Sequence, residues 1–213
     1  MHLHTRQDDG IVVEGSERED SVTARGQGAR KKKKYVMTTA EYLQTDETVL
    51  PRELAFGVMR VADSPVVLHQ RVVRDLTIAL TLYAKASRVG EVLPAPMDVI
   101  LDVQANLVVQ PDLVFVSNAR SEIVSHRILG APDLAIEVLS PHPRIGRVHE
   151  KVEWFARYGV RECWLVDPPQ RQFAVLTFEQ GRVAGRRLFT DVEPIESAVL
   201  PGLQLRPFDI FGY

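Results

Sequence analysis

Several things are scarce in this chain, and each scarcity removes a class of protein. Its 213 residues include one cysteine, Cys163, so no intrachain disulfide can form. No apolar run reaches 18 residues, which excludes a helical membrane span. The N-terminus lacks an apolar leader, and with the lone cysteine this sets the expectation of a reducing, cytoplasmic setting. Neither sign of charge dominates: the formal net charge is −2, so bulk charge does not announce a nucleic-acid partner. There is no Gly-x-Ser-x-Gly elbow and no phosphate-binding loop, so the common nucleophilic-serine and nucleotide-hydrolysing sites are missing. What remains is ordinary globular material, 45% hydrophobic and 25% charged, in an amount suited to one domain with a tail.

The tail is read from composition. Residues 1–36 hold 8 Lys and Arg against 6 Asp and Glu, few apolar side chains, and the run Arg30-Lys31-Lys32-Lys33-Lys34. Such a segment cannot bury enough surface to offset chain entropy. It reads either as a disordered basic tail or as a start placed upstream of the true one, since Met37 is followed by Thr38-Thr39-Ala40-Glu41, a threonine-capped helix opening. Residues 37–213 read as a single domain. Within it, residues 38–45 suggest a short helix, 53–61 a hairpin bent at Gly57, and 66–86 a long helix with Val73, Leu76, Leu80 and Tyr83 on one stripe. Strands are expected at 89–93, 98–101, 113–116, 134–139 and 163–166, a helix at 146–158 closed by Gly159, and a hairpin over 173–189 around Gly181. The class is mixed α/β (α+β), with a central sheet flanked by helices.

Polar residues inside apolar elements carry the chemistry. Asp112 opens the strand Leu113-Val114-Phe115-Val116, and Glu137 interrupts Leu134-Ala135-Ile136-Glu137-Val138-Leu139. A carboxylate there is costly unless paired or bound to a metal. On a period of two, Asp133, Ala135, Glu137 and Leu139 share a face. At 100° per residue, Lys151 falls within the apolar arc of Val148, Val152, Trp154, Phe155 and Tyr158, where it either snorkels outward or reaches an acidic site. His126, His142 and His149 show no zinc spacing, and Cys163 reads as a buried inert thiol. Residues 144–161 hold Arg144, Arg147, Lys151, Arg157 and Arg161 against Glu150 and Glu153, a local excess of positive charge that phosphate would meet favourably, though a solvated helix face looks the same.

These residues lie in segments that resemble a known family. Gly130-Ala131-Pro132-Asp133-Leu134-Ala135-Ile136-Glu137-Val138-Leu139-Ser140-Pro141 is close to the central signature of the Uma-two family. Gly159-Val160-Arg161-Glu162-Cys163-Trp164 stands where that family has Gly-Val-x-Glu-Tyr-Trp. Pro111-Asp112, Glu53-Leu54 with Gly57, and His69 on the long helix match further elements. The family is placed in the PD-(D/E)XK restriction-endonuclease-like superfamily, and the likeness spans about residues 38–210. The resemblance implies a restriction-endonuclease-like core and an endonuclease that hydrolyses DNA. Asp112 and Glu137 would hold Mg2+ (or Mn2+), Glu53 would lie nearby as a further acid, and Lys151 would orient the attacking water. His69 and Arg147 would line the site, and a homodimer would supply two sites for two strands. Two positions depart from the pattern: Leu139 stands where the superfamily lysine usually lies, and Arg147 where the family has aspartate. They keep open an alternative, a catalytically inactive nuclease-fold protein that binds nucleic acid or a protein partner.

Overall fold

The computed structural model describes residues 36–46, 50–62, 64–140 and 148–212, all within the compact unit Tyr35–Tyr213. Residues 1–35 of the 1–36 tail, and Arg147, lie outside the described residues. The described chain forms α1 (Thr39–Leu43), β1 (Arg52–Ala55), β2 (Val58–Val61), α2 (Val67–Ser87), β3 (Gly90–Pro94), β4 (Val99–Asp102), β5 (Leu107–Val109) and β6 (Leu113–Ser117). A 3-10 turn (Asn118–Ile123) follows, then β7 (Ile128–Leu129), β8 (Leu134–Val138), α3 (Val148–Tyr158), β9 (Glu162–Asp167), β10 (Gln172–Glu179), β11 (Arg182–Thr190) and α4 (Pro207–Phe211). Thr38 caps α1 through a reciprocal box with Glu41, as its position before the helix predicts.

Two mixed sheets result where the sequence suggested one. Six strands run in the order β11-β10-β9-β8-β6-β3, and five in the order β2-β1-β5-β4-β7. Strands β8 and β9 are parallel neighbours joined through α3, and both are buried along most of their length. Alternation on these strands sorts two cores. Leu113, Phe115, Leu134, Ile136, Val138, Trp164 and Val166 face a layer made by α2, α4 and the segment that carries Ile195, Leu200 and Leu205. Val114, Val116, Ala135 and Cys163 face the opposite way, onto α3 and the inner side of the five-stranded sheet. On α2 the buried stripe is His69, Val72, Leu76, Leu80 and Ala84, and Val73 and Tyr83 are partly buried against the same core. Short strands β5 and β7 and helix α4 are absent from the sequence reading, because two to five residues carry too little periodicity to register.

Candidate active site

The register of the six-stranded sheet brings the first two acids together. Leu113 pairs with Ile136 and Val114 with Ala135, antiparallel, so the next step sets Asp112 opposite Glu137. Both positions have the parity of Val114 and Ala135 and belong to the α3 side of the sheet. Asp112 is tied into the sheet end: its Oδ2 accepts the Val138 amide at 2.7 Å and lies 3.2 Å from His69 Nε2. A carboxylate can only accept, so the imidazole donates from Nε2. His69 is 8% exposed, and it reaches Asp112 from α2, the layer opposite Lys151.

The third acid comes from the other sheet. Glu53 on β1 is 4% exposed, its Oε1 accepts the Gln110 amide at 3.0 Å, and its buried Oε2 has no hydrogen-bond partner among the described residues. Lys151, in the second turn of α3 and 6% exposed, closes the arrangement. Its Nζ stands 2.7 Å from Glu53 Oε1 and 2.6 Å from Glu137 Oε1. The helical arc therefore points the lysine inward, and the snorkelling alternative is not what the fold adopts. A single ammonium thus joins α3 to both sheets. Next to it, Arg60 of β2 pairs with Glu150 at 2.8 Å and lies over the Trp154 ring, which holds the β1–β2 hairpin against α3.

The charge balance is uneven. Burial raises the Glu137 carboxyl, the negative charges of Asp112 and Glu53 raise it further, and Lys151 opposes them; the result is a pKa pushed up to about 8. Burial pulls the Lys151 ammonium down, but Glu137 and Glu53 more than reverse this, so the lysine stays charged. Three acids around one ammonium leave a negative excess, and a proton retained on Glu137 lowers it. Burial also pushes the Cys163 thiol well up, which fits an inert core side chain.

Two other acids of the signature segments prove structural. Asp133 is fully buried; it takes the Ser117 amide at 2.8 Å and the Arg161 guanidinium at 3.2 Å. Burial acts to raise its carboxyl, and these donors bring it below its usual range. Glu162 is fully buried and accepts from Trp164 Nε1 at 2.7 Å, Ser197 Oγ at 2.6 Å and the Ala198 amide at 2.9 Å, which fastens the C-terminal segment over the sheet. The basic stretch over residues 144–161 is not one surface: Lys151 is interior, Arg161 is spent on Asp133, and Arg144 and Arg147 lie outside the described residues. Gln110, absent from the sequence reading, supplies the amide that holds Glu53 and spans Arg52 and Asp98 with its side chain. Its place directly before Pro111-Asp112 was the available signal.

The donor chemistry suits a hard cation. Glu53, Asp112 and Glu137 offer carboxylate oxygens, and Glu53 Oε2 is a buried lone-pair site with no hydrogen-bond partner among the described residues. The groups are not preassembled around a metal: among the described residues no set of three or more His, Cys, Asp and Glu is arranged to hold one, and the Lys151 ammonium fills the gap between Glu53 and Glu137.

Comparison with known proteins bears on these same residues. The crystal structure of "a putative nuclease belonging to DUF820 from Anabaena variabilis" matches with a TM-score of 0.72 and 20% identity, over 83% of this chain and 98% of that one. At that identity the match speaks for the fold. No curated protein matches the chain in sequence. The model of the family Uma2, described as "Putative restriction endonuclease", matches residues 39–207, which include Glu53, His69, Asp112, Glu137 and Lys151. By this match over residues 39–207, the chain belongs to the Uma2 family.

Proposed function

We propose that the protein is a divalent-metal-dependent endonuclease that hydrolyses DNA phosphodiester bonds at the Glu53–Asp112–Glu137–Lys151 cluster. The observation that carries this reading is the burial of Lys151 between Glu53 and Glu137, with Asp112 on the neighbouring strand. A buried ammonium shared by acids from two sheets is a costly arrangement for stability alone, since apolar residues of similar volume would serve as well or better.

Asp112 and Glu137 would hold Mg2+ or Mn2+, with Glu53 beside them; bound there, the ion supplies Lewis-acid activation of the phosphate and of water. The chain's own part follows from its contacts. The Val138 amide and His69 fix Oδ2 of Asp112 and so hold its carboxylate at the end of the sheet. Lys151 presents a compact positive charge to a water or a phosphate oxygen, and its dry surroundings strengthen that charge. A second copy of the chain would supply the second site that a cut through both strands needs.

The test is a plasmid-nicking assay with Mg2+, Mn2+ and a chelator. Cleavage that needs the metal and disappears in Glu137→Gln supports the reading. Cleavage that survives the chelator refutes the metal mechanism. Retention of nucleic acid without cleavage under every metal condition would mark the inactive binding protein instead.

A further inference from the structure

We infer that Lys151 is the resident cation of this site: its ammonium keeps Glu53 and Glu137 paired in the unloaded protein, and a divalent ion that takes up Glu137 must compete with it. This rests on the metal-dependent reading above and concerns how that site is loaded.

Three observations lead here. The Nζ contacts of 2.6 and 2.7 Å to acids from opposite sheets are direct ion pairs, and they use Oε1 of both residues. Oxygens around Mg2+ sit at about 2.0–2.1 Å, so acids spaced for an ammonium must draw inward once it leaves. Glu53 Oε2 is buried and has no hydrogen-bond partner among the described residues, a second oxygen on the same carboxylate that the ammonium does not satisfy and a cation could. The lysine is suited to yield, because its charge rides on a flexible four-carbon stem and its backbone is fixed in α3.

The consequence is a competition that can be measured without catalysis. Removing the ammonium leaves buried acids without a counter-charge, a strongly destabilising condition that a bound ion relieves. Lys151→Met should therefore bind Mn2+ more tightly than the parent, by tenfold or more in Kd, which corresponds to about 1.4 kcal/mol. It should also melt lower in chelator and gain more on adding Mn2+. Lys151→Arg keeps a positive charge in the gap and should show no such gain in affinity.

The experiment is isothermal titration of the full chain with MnCl2 at constant pH and without nucleic acid, alongside thermal unfolding with Mn2+ or chelator. Should Lys151→Met fail to fold alone, the double variant Lys151→Met with Glu53→Gln removes one charge of each sign. It retains Asp112 and Glu137, and it should still bind Mn2+ more tightly than the parent. Parent binding with no gain in either Lys151→Met background overturns the inference and leaves the metal-dependent reading standing. Absence of Mn2+ binding in the parent and in every variant overturns both.

Discussion

Glu162 provides the sharpest separation of architecture from chemistry. It lies in a signature segment, it is acidic, and by position alone it competes with Glu137 as a catalytic group. In the fold it is fully buried at the far end of β9, opposite Leu134, and accepts three hydrogen bonds. In Glu162→Ala the Trp164 Nε1–H has no water to turn to, the Ala198 amide loses its acceptor, and Ser197 loses the anchor for the turn in which its Oγ takes the Val199 and Leu200 amides. An orphaned buried donor costs about 1–3 kcal/mol, and relief from burying the carboxylate returns part of this. A net loss of about 3 kcal/mol is expected. At about 2–4 °C per kcal/mol for a chain of this size, Tm should fall by about 6–12 °C. Glu162→Gln keeps an acceptor for Trp164 and should fall between the two. Circular dichroism melts measure both, and Mn2+ titration below the transition should match the parent. A Glu162→Ala protein that melts within about 1 °C of the parent would refute the clamp. One that keeps its Tm but loses metal binding or cleavage would move Glu162 into the site.

Other expectations follow from the same contacts. Asp112→Ala and Glu137→Ala should each abolish divalent-ion binding and lower any cleavage rate by about 10³-fold or more, read by titration and nicking; Asp112→Ala should also lose about 1–3 kcal/mol of stability because the Val138 amide is orphaned, whereas Asp112→Asn keeps an acceptor there. Glu137 is raised from its ordinary value of 4.5 to about 8, so the folded state holds a proton that the unfolded chain gives up. This contribution to stability is complete below about pH 4.5 and is lost as pH climbs toward about 8. Urea midpoints across that window should show the decline in the parent and its absence in Glu137→Gln; equal slopes would show that Glu137 does not carry the proton.

Much of this was legible in the linear sequence because it rests on short-range rules. Alternation in 113–116 and 134–138 marks strands and sets Glu137 on the face opposite Leu134 and Ile136, whatever the strands pack against. The 100° arc of the last long helix sets Lys151 among apolar side chains before any partner is known, and the fold decides that it points inward. The resemblance of the Pro-Asp, Glu and Gly-Val-x-Glu segments to the Uma-two family was carried by residue identity, and the family match over residues 39–207 bears it out. Tertiary structure decided the rest. Glu53 and Lys151 are nearly one hundred residues apart, and only the packing of the five-stranded sheet against α3 places a carboxylate 2.7 Å from that ammonium. The second sheet itself depends on β5 and β7, whose two or three residues become strands only when neighbours supply their hydrogen bonds. Asp133 and Glu162 look like Asp112 and Glu137 on paper. Their roles diverge because hydrogen-bond donors satisfy the first two, while Glu137 meets a buried lysine and Asp112, opposite it, a histidine and the Val138 amide. Partners of that kind are contacts between distant segments, which no local pattern encodes.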